Sequence, residues 1–273
     1  MKRRKKITII ISSVAGGLAL IILLGLIFTG LFVGWGPFGK LANIRFGKME
    51  GNSDKYSVEN VQPLENSRLD GMNICYLGSS VTYGASSLQE SFVEFIAKRN
   101  NTTFVKEAVS GTTLVTTGAG GNSYITRMKK LDKNAKFDLF ICQLSTNDAS
   151  QNKPLGEITS TDDTTICGAI NTIIDYVRET WNCPIMFYTN AYYESDTYSA
   201  MVKALKQIAE VKGIGVIDLY DDAAFNAITV EQRSLYMADK IHPTKAGYLE
   251  WWTPKMEQYI NDYICMNLLN DLL

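Results

Sequence analysis

From residue 73 onward, short apolar runs rich in branched and aromatic residues alternate with helix-like segments. Such runs are typical of buried strands. The five predicted strands are NICYLG (73–78), TFVKEA (103–108), FDLFICQ (137–143), PIMFYT (184–189) and GVIDL (215–219). Because helical segments separate them at intervals of about 30 to 45 residues, the strands form βαβ units. The pattern predicts an α/β protein, a three-layer α/β/α sandwich around a five-stranded parallel sheet.

Apolar residues at spacings of three and four predict the helices between these strands. The first helix is predicted over 87–100, where Ser87 and Glu90 form a capping-box sequence. The others are predicted over 164–181 and 196–212. Their apolar faces are expected to cover the sheet on both sides.

The first 40 residues differ from the rest. Residues 2–6 are all Lys or Arg, and a strongly apolar stretch of 27 residues, 7–33, follows them. As a helix this stretch is about 40 Å long, against a hydrocarbon core of about 30 Å. The apolar part of a cleaved signal peptide is shorter, so we predict an uncleaved transmembrane anchor. The cations before it favour a cytoplasmic N-terminus, although Lys40, Arg45 and Lys48 weaken the asymmetry.

Four segments follow from this interpretation. Residues 1–6 form a cytoplasmic basic tail, 7–33 the transmembrane anchor, 34–63 a linker interrupted by glycine and proline, and 64–273 the main domain. The expected location is the cell membrane, crossed once, with the main domain outside the cytoplasm. We expect a monomer.

Charge and cysteine content narrow the function. Without the five N-terminal cations the 27 basic residues fall to 22, against 28 acidic ones, so a nucleic-acid partner is not expected.

The five cysteines form no C-x-x-C pair, and neither a metal site nor a disulfide framework is predicted. Cys75 and Cys142 lie in strand-like runs and are interpreted as buried apolar residues. Free thiols are less expected outside the cytoplasm and count against the predicted topology.

The first candidate site follows the first strand, in YLGSSVTYG (76–84). Gly78 allows a tight turn there, and a hydroxyl after it lies near free backbone amides at a helix N-terminus. Two functions fit this loop. Either a serine of this loop, Ser79 or Ser80, attacks an acyl carbon, or the loop holds a phosphate as in flavin-binding proteins of similar topology.

Polar residues also follow later strands, where ligands of parallel sheets bind. Gly111 in AVSGTT leaves its amide accessible, and Asn147 in QLSTND has a carboxamide able to donate to an oxyanion. The sole histidine, His242, follows Asp239 in DKIHP. At this spacing the carboxylate can fix the imidazole tautomer. A last helix is predicted after it, with Thr244 as its cap and a kink near Pro254.

Taken in order, these blocks resemble the SGNH, or GDSL, hydrolase family from about residue 64 to the C-terminus. Its first block, Gly-Asp-Ser, an aliphatic residue, Thr, any residue and Gly, matches 78–84; its second-block glycine matches Gly111. Its third block, G-x-N-D, matches 145–148, and its D-x-x-H-P matches 239–243. Two positions depart from the pattern, Ser79 for aspartate and Ser145 for glycine, which puts loop packing and the presentation of Asn147 in question.

The resemblance implies a flavodoxin-like SGNH fold and a serine esterase without metal or organic cofactor. Ser80 would be the nucleophile, His242 the general base, Asp239 its orienting carboxylate, and Ser80, Gly111 and Asn147 the oxyanion hole. The implied substrate is an ester of a small molecule, glycan or lipid, and an acetyl group on cell-surface carbohydrate is favoured. An acyltransferase with the same triad and a lysophospholipase or lipase remain alternatives, as does a flavodoxin-like module that binds a phosphate-bearing ligand.

Two further features have alternative interpretations. The aromatic residues Tyr83, Tyr192, Tyr193 and Trp251 lie near strand ends or the histidine loop and either stack on a sugar ring or pack in the core. The glycine-rich segment 117–123, TGAGGNS, is not a dinucleotide fingerprint and is expected to form a flap over the site.

Overall fold

The computed structural model describes residues 16–30, 40–118 and 121–270. Contacts divide the chain into two units between Met49 and Glu50. In the first unit residues 16–28 are α-helical (α1), and α2 covers Leu41–Phe46. Of the predicted anchor 7–33, residues 7–15 and 31–33 lie outside the described residues. No helix in the described ranges is long and apolar enough to cross a membrane.

Five parallel strands form the centre of the second unit. They are β1 (Asn73–Gly78), β2 (Thr103–Ala108), β3 (Leu139–Gln143), β4 (Ile185–Tyr188) and β5 (Gly215–Ile217). Their order in the sheet is β2-β1-β3-β4-β5, and every neighbouring pair is parallel. The predicted five-stranded parallel sheet is therefore confirmed. Its order reverses between β1 and β3, the point at which ligands bind in sheets of this kind.

Nine α-helices accompany the sheet within the described residues. They are α3 (Ser80–Tyr83), α4 (Phe92–Asn100), α5 (Tyr124–Met128), α6 (Thr146–Ser150), α7 (Ile166–Thr180), α8 (Asp196–Lys212), α9 (Ala223–Asn226), α10 (Val230–Tyr236) and α11 (Thr253–Asn270). The helices predicted over 164–181 and 196–212 correspond to α7 and α8. Caps at Thr165 and Ser195 fix their starts.

Alternate residues of each strand enter two separate apolar cores. Cys75 and Cys142 pack on one face with α5, α7 and α8. Ile74 and Ile141 pack on the other face with α4 and α11. This alternation follows from the period of two in a strand and produces the predicted three layers. Because all five strands are parallel, their carboxyl ends lie along one edge of the sheet.

The predicted start of the first helix is wrong. Leu88 and Gln89 have φ values of 57° and 72°, so the chain is left-handed where the helix was expected. The capping box is formed instead by Ser91 and Glu94, and α4 begins directly after Ser91. Glu90, the predicted capping acid, accepts hydrogen bonds from the Val58 amide and from the Lys245 ammonium. The sequence contains two capping-box patterns in succession, and the left-handed turn leaves only the second one able to act.

The helix after the histidine loop begins as predicted, because the Thr244 hydroxyl accepts the Gly247 amide at 3.2 Å. A π-helical turn, Gly247–Trp252, precedes Pro254 and leads into α11. Residues 50–63, which the sequence pattern assigns to the linker, belong to the second unit and contain three short 3₁₀ turns.

Candidate active site

The turn after β1 places Ser80 at the start of α3. Gly78 is required there, because a Cβ would lie 1.8 Å from Thr82 Oγ1 and 2.8 Å from Gln143 Oε1. α3 ends after one turn at Gly84, whose φ is 79°. Ser80 is buried, and its amide lies in the first turn of the helix, where backbone amides have no helical acceptor.

His242 lies in a tight loop between α10 and the last helix. The Ala238 amide donates to the His242 carbonyl at 2.9 Å, and the Thr244 amide donates to the Tyr236 carbonyl at 2.8 Å. Asp239 Oδ1 accepts the His242 amide at 2.9 Å, so the carboxylate is fixed beside the imidazole. These bonds hold the D-x-x-H segment in one conformation.

The predicted triad residues are in contact. His242 Nδ1 lies 2.8 Å from Asp239 Oδ2, and His242 Nε2 lies 2.7 Å from Ser80 Oγ. Burial tends to raise the pKa of Asp239, but the hydrogen bond and charge of His242, with the Ile241 and His242 amides, outweigh it and lower the pKa to about 2. An ionised carboxylate accepts the Nδ1 proton, which leaves Nε2 free to take the serine proton.

Of the three predicted oxyanion residues, Ser80 and Asn147 line a common pocket, and Gly111 lies outside its lining. Asn147 lines a pocket together with Ser80 and His242. One proton of its carboxamide is donated to the Thr112 carbonyl at 2.9 Å, so the other remains for a ligand. Gly111, immediately before Thr112, is exposed with a φ of 79° and open space where a side chain would be. The Asn147 contact therefore also fixes the loop that carries the Gly111 amide.

The departure at Ser145 does not disturb Asn147. The Ser145 hydroxyl caps α6 and accepts the amides of Asn147 and Asp148, at 3.2 and 3.4 Å. A glycine has no side chain to make this cap. Ser145 consequently supports the orientation of the carboxamide beside it.

Three buried residues that the sequence reasoning missed hold these loops. The first is Asp148, recognised in the third block but given no role. It accepts the amides of Leu114 at 2.8 Å and Val115 at 3.2 Å. Burial raises its pKa, while the Ser145 hydroxyl and the two amides lower it, and burial prevails. Asp148 thus ties the loop after β2 to α6.

The second is Arg127, whose guanidinium joins two strand ends to the oxyanion loop. It donates to the Gly78 carbonyl at 2.8 Å, to Glu107 Oε1 at 2.9 Å and to Thr112 Oγ1 at 3.0 Å. Its side chain is 4% exposed, so these contacts are shielded from water. Nothing in the local sequence around Arg127 indicated this role, because all its partners are distant along the chain.

The third is Gln143 at the end of β3. Its Oε1 accepts the Ser79 amide at 2.8 Å, the Ser79 hydroxyl at 3.3 Å and the Thr82 hydroxyl at 3.0 Å. Ser79, the alternative nucleophile, is directed into this buried contact, whereas Ser80 meets the imidazole. The contact also accounts for the departure at Ser79, since a serine hydroxyl donates where an ionised aspartate would not.

The pocket beside the triad has a volume of about 280 Å³. Of the four aromatic candidates, Tyr193 lines it. Trp251 is buried and stacks on Phe225 with ring centroids 4.5 Å apart, so core packing explains it. Tyr83 and Tyr192 lie outside the lining. Residues 119 and 120 of the predicted flap lie outside the described residues, and the flap stays a prediction.

The chain is similar to known proteins in sequence and in fold. The model of the GDSL-like Lipase/Acylhydrolase family matches residues 76–249. No curated protein sequence matches the chain.

Solved structures share the fold at low identity. A Lactobacillus plantarum protein has a TM-score of 0.61 at 20% identity, over 71% of this chain and 98% of its own. A Bacteroides ovatus protein solved as a GDSL-like lipase has a TM-score of 0.55 at 20% identity, over 71% and 99% of the two chains. A variant of a Geobacillus acetyl-xylooligosaccharide esterase has a TM-score of 0.50 at 19% identity, over 70% and 94%.

The role of Asp148 is testable by Asp148→Asn. The new amide group would face two backbone donors, so we expect a loss of about 1 to 3 kcal/mol in the free energy of unfolding. We also expect kcat for an ester substrate to fall about tenfold, because the loop that carries Gly111 loses one of its anchors. Asp162→Asn is the matched control, since Asp162 is an exposed turn residue that asparagine can replace. Equal unfolding curves for the two variants would rule out this role for Asp148.

The contact between Asp239 and His242 is testable by carboxyl-carbon NMR titration. We expect the wild-type pKa of Asp239 to be about 2, and His242→Ala to raise it toward the ordinary value. Asp162, whose pKa the Thr164 hydroxyl lowers, should not change. The stability that Asp239 contributes should be present above its unfolded pKa of about 3.9 and be lost as the pH falls toward 2. An Asp239 titration identical in both proteins would contradict the contact.

Proposed function

The chain belongs to the GDSL-like lipase/acylhydrolase family and is a serine ester hydrolase, and from this premise we propose that it cleaves short acyl esters through Ser80, His242 and Asp239. The observation that carries the proposal is the continuous contact from Asp239 Oδ2 to His242 Nδ1, 2.8 Å, and from His242 Nε2 to Ser80 Oγ, 2.7 Å. This is the arrangement that activates a serine hydroxyl for attack on an acyl carbon.

In the first half of the reaction, Ser80 Oγ forms a bond to the acyl carbon and its proton moves to His242 Nε2. The carbonyl oxygen becomes negative and accepts hydrogen bonds from the Ser80 and Gly111 amides and from Asn147 Nδ2, each such donor being worth about 3 to 4 kcal/mol of barrier. The bond to the alcohol oxygen then breaks as His242 returns its proton to that oxygen. The alcohol leaves, and the acyl group remains on Ser80.

In the second half, a water molecule replaces the alcohol. His242 Nε2 takes a proton from the water molecule while the water oxygen attacks the acyl carbon. The Ser80 and Gly111 amides and Asn147 Nδ2 again donate hydrogen bonds to the negative oxygen. The bond to Ser80 Oγ breaks, the proton returns to that oxygen, and the carboxylic acid leaves. Asp239 stays ionised throughout and stabilises the protonated imidazole.

For the substrate we propose an acetyl ester of a carbohydrate. A pocket of about 280 Å³ accommodates a small acyl group and part of an alcohol rather than a long chain. We base the proposed specificity for acetylated carbohydrate on the acetyl-xylooligosaccharide esterase that has the same fold. A strong preference for long-chain acyl esters would instead favour the lipase alternative, and acylated alcohol in place of free acid would favour the acyltransferase.

Membrane attachment is a second part of the proposal, and it rests on the sequence of residues 2–33. We expect the full chain to stay with membranes after a carbonate wash and the catalytic unit to be digested by protease added from the extracytoplasmic side. Release of the intact chain by carbonate, or protection from that protease, would contradict the attachment or the orientation.

The assignment of the nucleophile and the base is testable with a short-chain aryl acetate. Ser80→Ala and His242→Ala should each lower kcat at least about thousandfold, because triad residues act as a unit. Ser79→Ala is the matched control. It removes the neighbouring hydroxyl, which is bonded to Gln143, and should stay within about tenfold of wild type. An active Ser80→Ala variant together with an inactive Ser79→Ala variant would reverse the assignment.

A further inference from the structure

Glu194 lies on the loop between β4 and α8 and lines the pocket beside Ser80 and His242. Its side chain is exposed to solvent. In the part of the chain that the structure describes, no hydrogen-bond donor or cation contacts its carboxylate. A free carboxylate at the edge of a reaction site is a feature that the proposed triad chemistry does not use.

The rest of the pocket lining is neutral apart from the triad. Thr146, Ser150 and Ser195 contribute hydroxyl groups, while Ala149 and Ile241 contribute apolar surface. Lys153 and Lys240 are near in sequence to lining residues, but neither lines the pocket. Asp239 adds a second negative charge behind His242. A ligand in this pocket therefore meets the negative charge of Glu194 directly, with that of Asp239 behind His242.

We propose that Glu194 selects the alcohol half of the substrate and favours esters of neutral or cationic alcohols over esters of anionic ones. This inference rests on the proposed esterase function. A short acyl group such as acetyl carries no charge, so charge differences between substrates reside in the alcohol. An uncommitted carboxylate accepts hydrogen bonds from sugar hydroxyls or pairs with an ammonium group, whereas it repels a uronate or a phosphate.

The expected size of this selection is modest, because the pocket is open to water. Two like charges a few ångströms apart at a protein surface repel with an energy that solvent reduces strongly and that salt screens further. We expect the ratio of kcat/KM between a neutral and an anionic substrate to change about fivefold when the charge is removed. The effect should decrease as salt is raised, which distinguishes it from a change in pocket shape.

The test compares two aryl acetates of nearly the same shape, 4-acetoxybenzamide, which is neutral, and 4-acetoxybenzoate, which is anionic. Glu194→Gln should lower the preference for the neutral ester about fivefold relative to wild type, and Glu194→Lys should lower it further. Glu210→Gln is the matched control. It makes the same substitution near the other end of α8, about 20 Å along the helix, and should leave the preference unchanged.

The outcomes separate this inference from the proposed function. If wild type hydrolyses both esters and Glu194→Gln leaves their kcat/KM ratio unchanged at low salt, Glu194 does not select by charge and the inference is overturned. It is also overturned if Glu210→Gln shifts the ratio as much as Glu194→Gln does. If wild type hydrolyses neither ester, the esterase function itself fails and the inference fails with it.

Discussion

The 2.7 Å contact between Ser80 Oγ and His242 Nε2 joins residues 162 positions apart, and the rest of the site depends on it. Ser80 begins the single-turn helix α3 and His242 lies on a short loop, so neither segment can hold this distance alone. The Tyr248 hydroxyl donates to the Val81 carbonyl at 2.6 Å, which connects the helix after the histidine directly to the turn after the serine. This buried hydrogen bond is a second connection between the segment that carries Ser80 and the one that follows His242, and it supports the geometry of the triad.

The oxyanion side is held by a separate set of contacts. Asn147 and Asp148 are neighbours on α6, and both bind the loop after β2, one through the Thr112 carbonyl and the other through two amides. Arg127 donates to the hydroxyl of the same threonine at 3.0 Å. Since α6 follows β3 and the nucleophile turn follows β1, the pairing of these two strands sets the distance between the donors and Ser80. The preorganisation that an oxyanion hole needs is therefore a property of the sheet.

The sequence allowed the strands, the sheet class and the contacts of His242 with Ser80 and Asp239 to be predicted, because strands follow from local periodicity and these three residues from short motifs. The start of α4 could not be predicted, since Ser87 with Glu90 and Ser91 with Glu94 are equally good capping sequences, and only the left-handed Leu88 and Gln89 decide between them. The supporting roles of Gln143 and Arg127 were also out of reach. Their partners lie 15 to 64 residues away, so no local pattern indicates them.

The replacement of the expected aspartate by Ser79 changes the charge around the nucleophile. An ionised carboxylate at this fully buried position would need donors, yet the Ser79 hydroxyl contacts the Oε1 atom of Gln143, an acceptor that also receives the Ser79 amide. Because the Ser79 amide is a hydrogen-bond donor, the atom of the Gln143 carboxamide that faces it is the oxygen. The hydroxyl of a neutral serine donates to Gln143 Oε1 and adds no negative charge next to Ser80. Arg127 donates to the Gly78 carbonyl at the end of β1, and its charge is already paired with Glu107, so a neutral serine at position 79 leaves the charge balance of this buried turn unchanged.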